Sequence, residues 1–134
     1  MPPKYRSEEI YQVMKAYIDG KHAQKAIDKC DANYQFILTD KKDGEPVFSF
    51  WAKLRKSESG AGKGKLEKPD ATFTMTDSDF YDMCMGKLNP QMAFVKKQMK
   101  ISGNFKKASI FTPDLFPKPT PENIAKFVKG DAKL

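Results

Sequence analysis

Ile10, Val13, Met14, Tyr17 and Ile18 recur at three- and four-residue spacing, which predicts an amphipathic helix with Ser7 as N-cap, Glu8 and Glu9 in its first turn and Gly20 as its stop. Residues 23–30 predict a second, shorter helix. The period then falls to two. Tyr34, Phe36 and Leu38 alternate with Gln35, Ile37 and Thr39, as in a strand with one buried face. Asp43-Gly44 marks a hairpin turn, and the return strand puts Phe48, Phe50, Ala52 and Leu54 on one face and Ser49, Trp51, Lys53 and Arg55 on the other. Glycine and serine make residues 57–64 read as a loop, with 65–68 as a short strand after it. Residues 72–76 form a further strand, Phe73 and Met75 pointing inward beside a row of threonines.

Helical spacing returns behind Thr76, whose partner three residues on, Asp79, suggests a capping box; Phe80, Met83 and Cys84 form the apolar face and Gly86 the stop. Asn89-Pro90 opens another short helix, with Asn as cap and Pro where a missing N–H costs nothing. Residues 99–102 alternate as a last strand, and Gly103-Asn104 turns the chain into a helical segment holding Phe105, Ala108 and Ile110. Pro113, Pro117, Pro119 and Pro121 then exclude long regular elements. The boundary falls near 116: one domain over 1–116, then a Pro-rich tail over 117–134 with a short helix capped by Thr120.

Composition narrows the function classes. The 134 residues, 40% hydrophobic and 31% charged, suit one core, and no apolar run approaches the roughly 20 residues of a membrane-spanning helix. The opening Met1-Pro-Pro-Lys-Tyr-Arg6 has no apolar stretch behind it, which argues against secretion. Cys30 and Cys84, far apart, read as reduced thiols. A net charge of +7 calls for an acidic ligand, an anionic membrane face or nucleic acid, unless it is only a solvated lysine face. No zinc-finger or RNP-like spacing accompanies the lysines, so nucleic acid is not expected as a partner. Gly60-Ala-Gly-Lys-Gly-Lys65 fails the P-loop pattern, because Leu66 stands where Ser or Thr is needed. His22 is the only histidine, so no His-based metal cluster forms, and no Gly-x-Ser-x-Gly elbow supplies a serine nucleophile. No catalytic residue, metal or cofactor is expected.

The segment Met85-Gly-Lys-Leu-Asn-Pro-Gln-Met-Ala-Phe94, followed by Lys100-Ile-Ser-Gly-Asn104, closely resembles the signature region of the sterol carrier protein type 2 family, the non-specific lipid-transfer proteins. Residues 74–80 and 111–117 are similar to the family as well. The resemblance implies an α+β fold: a five-stranded, mostly antiparallel sheet covered on one face by helices, with a hydrophobic lipid tunnel between the layers. It implies a non-catalytic intracellular carrier of fatty acids, fatty acyl-CoA and sterols. Phe36, Leu38, Phe50, Phe73, Met75, Phe80 and Met83 are candidate lipid contacts, together with Met92, Phe94, Met99, Ile101 and Phe105. Seven methionines suit a site that repacks around ligands of different shape. Gln91 is a candidate hydrogen-bond donor to a head group, and Lys96, Lys97 and Lys100 a candidate attraction for a carboxylate or CoA phosphates.

The chain ends Ala132-Lys133-Leu134, a variant of the Ser-Lys-Leu peroxisomal signal. This predicts the peroxisomal matrix, and also the cytosol, as location. The expected partners are an import receptor, anionic membrane surfaces and β-oxidation enzymes, the protein itself being a monomer; a module presenting substrate to those enzymes is the alternative function.

Overall fold

A computed structural model describes residues 6–128; residues 1–5 and 129–134, including the tripeptide at Ala132, Lys133 and Leu134, lie outside the described residues. Two helices, α1 (Arg6–Asp19) and α2 (Gln24–Cys30), precede the strands β1 (Ala32–Thr39), β2 (Pro46–Leu54), β3 (Ser59–Lys63) and β4 (Ala71–Thr76). Helices α3 (Asp77–Cys84) and α4 (Pro90–Val95), strand β5 (Met99–Gly103) and helix α5 (Phe105–Ile110) follow. A 3-10 turn (Pro113–Leu115) leads to α6 (Pro121–Asn123), which runs on as a π-helical turn (Ile124–Val128).

The five strands form one sheet in the order β3-β2-β1-β4-β5. Three pairings are antiparallel, and the central one, β1 with β4, is parallel. Register puts the inward side chains in rows across the sheet: Phe50 beside Phe36, Phe36 beside Phe73, Phe73 beside Ile101. The α+β class and the mostly antiparallel sheet are as the sequence predicted. Helices α1, α3, α4 and α5 lie on the face these rows present. Helix α1 covers β2 and β3, α3 covers β1 and β4, and α5 covers β4 and β5.

One element differs from expectation. Residues 57–64 hold β3, and 65–68 form no strand. Ser and Gly have poor strand propensity, but β3 is an edge whose pairing with β2 and cover by α1 outweigh propensity. Gly62 is required there: a Cβ would stand 2.3 Å from the Trp51 ring. The chain then crosses the outer face of the sheet to reach β4. Gln35, read as an outward residue, is buried beneath that crossover; its Nε2 donates to the carbonyls of Phe50 (3.0 Å) and Gly64 (2.9 Å), and its Oε1 accepts from the Leu66 N–H at 2.7 Å.

The start of α1 also differs. Ser7 lies inside the helix and is buried, and the cap is Asp77, seventy residues on, whose carboxylate accepts the Ser7 N–H at 2.6 Å and the Arg6 N–H at 3.1 Å. At its other end the left-handed residue is Lys21 (φ 63°), not Gly20. The caps read at Thr76 and Asn89 are present, and Asn104, read only as part of a turn, is a further one. Thr76 Oγ1 accepts from the Asp79 N–H, Asn89 Oδ1 from Gln91 and Met92, and Asn104 Oδ1 from Lys107. In the tail, Thr120 caps α6, Phe116 meets Tyr17 at 5.8 Å between ring centroids, and the turn Ile124–Val128 lies against α1.

Candidate functional site

Phe36 is the hub of the core. Its ring is 4.8 Å from Phe50, 5.4 Å from Phe73, 5.5 Å from Phe80 and 5.4 Å from Phe111. On the α1 side of this hub the interior is filled: Tyr11 packs on Phe50 at 5.3 Å, and Phe80 of α3 closes over both Phe36 and Phe50. On the β4–β5 side a cavity of about 580 Å³ remains, within the usual range for small-molecule sites.

Its floor is the inward row Phe36, Phe73 and Ile101 with Met99. One wall is α4, through Pro90, Gln91, Phe94 and Val95. The other is α5 and the turn beyond it, through Phe105, Ala108, Ser109 and Thr112, an i, i+3, i+4, i+7 face. Met83 and Phe111 complete the lining. Val95 and Phe105 are exposed while Phe36 and Phe111 are buried, so the cavity runs from the surface between α4 and α5 down to the aromatic hub.

Signature residues fix this geometry. Gly86 takes φ 83°, and Asn89 and Pro90 start α4 over the sheet. Gly103 takes φ 89° with its Cα against the carbonyl of Asp70, where a Cβ would approach to 2.6 Å; the next N–H, of Asn104, donates to that same carbonyl at 2.7 Å. Asn104 then caps α5, so Gly103 and Asn104 together set the angle of one cavity wall.

Of the candidate contacts, Phe36, Phe73, Met83, Gln91, Phe94, Met99, Ile101 and Phe105 line the cavity. Leu38, Phe50, Met75 and Phe80 do not; they are buried in the packed core, because alternation marks the inward face without telling which part a helix fills. Met92 is exposed and off the cavity wall. Val95, Ala108, Ser109, Phe111 and Thr112 were missed, although the helical spacing from Phe105 to Thr112 carries the signal for most of them.

None of Lys96, Lys97 and Lys100 lines the cavity. Lys100 follows inward Met99 on β5 and so points to the opposite face, where its Nζ meets Asp43 Oδ1 at 2.6 Å. Lys97 and Lys100 border a separate polar depression of about 180 Å³, with Thr39, Thr74 and Thr76. The Gln91 side chain is exposed at the mouth and makes no hydrogen bond among the described residues.

Neither thiol is activated. Burial raises the Cys30 pKa above its ordinary value, and apolar surroundings push Cys84 up to about 12. Among the described residues no cluster of three or more His, Cys, Asp or Glu side chains is placed to hold a metal ion, and no helix is long and apolar enough to cross a membrane.

The profile of the SCP-2 sterol transfer family matches residues 12–113. Sterol carrier protein 2 of Arabidopsis thaliana is 38% identical over 115 residues, which are 86% of this chain and 94% of that protein. Peroxisomal multifunctional enzyme A of Dictyostelium discoideum is 37% identical over 103 residues, 75% of this chain but only 22% of that enzyme. Among solved structures, sterol carrier protein-2 from Aedes aegypti, in complex with the C16 fatty acid palmitate, shares the fold with a TM-score of 0.60 at 18% identity, over 86% of this chain and 96% of that one. A profile match running from α1 to the turn after α5, and a relative aligned over nearly its whole length, make this chain a member of the SCP-2 sterol transfer family.

Proposed function

We propose that the protein is a non-catalytic carrier that takes a single long apolar ligand, a fatty acid, fatty acyl-CoA or sterol, into the cavity between α4 and α5 and supplies it to peroxisomal lipid metabolism. The observation that carries this reading is the apolar cavity of about 580 Å³ ending on Phe36, Phe73 and Phe111. Burial of a methylene contributes roughly 0.8 kcal/mol, so a sixteen-carbon chain gains about 12 kcal/mol before ordering costs, enough for micromolar to nanomolar affinity without a strong polar anchor. Gln91 at the mouth is the group suited to hydrogen-bond a head group left at the surface. The palmitate complex of the Aedes aegypti protein, which has the same fold, supports a fatty acid as one ligand.

Recombinant protein extracted with organic solvent and analysed by mass spectrometry tests the reading. Stoichiometric co-purifying lipid, or tight uptake of added fatty acid, is expected; protein that neither carries nor takes up any lipid would overturn it. The peroxisomal part rests on Ala132, Lys133 and Leu134 and on the kinship with a peroxisomal multifunctional enzyme. Deleting Leu134 from an N-terminally tagged chain is expected to leave it in the cytosol, where the import receptor has nothing to grip. That kinship, covering 22% of the enzyme, also favours a second reading, a module that presents substrate to β-oxidation enzymes. A rise in the rate of such an enzyme beyond what the free ligand concentration explains would favour presentation over transfer.

A further inference from the structure

Four uncharged polar side chains interrupt the apolar lining of the cavity: Asn89 and Gln91 at the start of α4, and Ser109 and Thr112 along the α5 wall. Among the described residues no Asp, Glu, Lys or Arg lines it. The hydrogen-bonding capacity of the four is already partly committed. Asn89 Oδ1 caps α4, accepting from the Gln91 N–H at 2.8 Å, which leaves the Asn89 amide N–H groups to donate. Ser109 is the reverse case. Its hydroxyl donates back to the Lys106 carbonyl at 2.9 Å, as serines within helices do, so its oxygen has only lone pairs to offer a ligand. The Thr112 hydroxyl makes no hydrogen bond among the described residues and is free to donate. The α5 wall therefore carries an acceptor and, three residues on, a donor.

We propose that Ser109 and Thr112 select the polar end of the ligand and that this end is a hydroxyl, so that the cavity takes lipid alcohols in preference to lipids whose polar end can only accept hydrogen bonds. A hydroxyl both donates and accepts, so it satisfies Ser109 Oγ while taking the Thr112 proton. An ionised carboxylate has only acceptor oxygens; it would set its charge against the Ser109 lone pairs, and the described lining supplies no cation to offset this. An ether or ester oxygen leaves Ser109 without a donor as well. Gln91 does not discriminate, because its amide carries both a donor and an acceptor and can serve any head group. Selection therefore falls to α5, where Phe105 and Ala108 of the same face are left to hold the apolar part of the ligand. A hydroxyl on a long chain and one on a sterol share this chemistry. The proposal rests on the carrier reading above and ranks the ligands that it admits.

The test measures displacement of a bound fluorescent fatty acid from the full chain by dodecanol, by 1-methoxydodecane, which accepts but cannot donate, and by cholesterol. Wild type is expected to bind dodecanol about fivefold more tightly than the ether, the size of one neutral hydrogen bond, although the ether is the more apolar ligand. Ser109→Ala is expected to bring that ratio to about one. Thr112→Val is expected to weaken both ligands about fivefold and to leave the ratio as it was, since alcohol and ether oxygens both accept. Each ratio is taken on one protein, so partial unfolding of a variant does not imitate the result. A ratio near one in the wild type, or one that survives Ser109→Ala, would overturn the proposal, as would undiminished binding of both ligands by Thr112→Val. Cholesterol separates the two sources of the hydroxyl: weaker binding by Ser109→Ala extends the site to sterols, and unchanged binding restricts it to chain alcohols. Failure of the wild type to bind the fluorescent fatty acid, dodecanol and cholesterol alike would instead sink the carrier reading.

Discussion

Gly103 occupies a left-handed backbone with its α-carbon against the Asp70 carbonyl, so its hydrogen is a steric requirement. Gly103→Ala is expected to destabilise the protein by about 3 kcal/mol in urea unfolding, since strain and a backbone clash add. A change under about 0.5 kcal/mol, the range of an ordinary surface substitution, would show that the contact is relieved without cost. Cys84 offers a pH-dependent readout. Its folded pKa, raised to about 12, lies above that of a free thiol, so the folded state favours the protonated form. The stability this confers is complete below the unfolded value and is lost as pH rises towards 12. Maleimide labelling of Cys84 in the folded protein is expected to be slow at pH 8 and to keep rising past pH 10, where an ordinary thiol has levelled off; a plateau near pH 9 would contradict the assigned environment. The motif glycines and asparagines were legible as turns and caps, because their chemistry is local. Gln35 was not: alternation marks it as outward, and only the crossover above it explains its burial.

Elements whose ends are set by nearby residues could be read from the sequence, and those set at long range could not. The β1–β2 hairpin, β4, α3, α4 and α5 carried their own period and caps. The start of α1 depends on Asp77, remote in sequence. Asp77→Ala is expected to cost about 1–2 kcal/mol, the size of a lost helix cap, with Asp77→Asn recovering part of it because the amide oxygen still accepts; equal losses for both in thermal or urea unfolding would assign the effect to charge instead. Strand β3 was hidden by its composition. Its place depends on partners elsewhere, β2 alongside and α1 above, with Gly62 admitting the Trp51 ring.

At the scale of the molecule, the sheet's inward face is divided between a packed half beneath α1 and α3 and an open half beneath α4 and α5. The sequence marked both halves as apolar, and this is why Phe50 and Phe80 read as equivalent to Phe73 and Ile101. A ligand that fills the open half stabilises the folded state by mass action. Palmitate at one hundred times its Kd is expected to add about 2.7 kcal/mol to the unfolding free energy, visible as a higher Tm that depends on ligand concentration. An unchanged Tm at saturating palmitate would mean that the cavity does not receive it.

The parallel pairing of β1 with β4 has a consequence during synthesis. Until residues 71–76 have emerged, β1 is the outermost strand of whatever sheet has formed, with unpaired peptide groups and Phe36 and Leu38 still lacking their neighbours Phe73 and Met75. A nascent or truncated chain ending before Ala71 therefore displays a sticky edge, and strand-to-strand aggregation is its expected fate. Fragments that stop short of β4 should be recovered from inclusion bodies, and those extending through α5 from the soluble fraction.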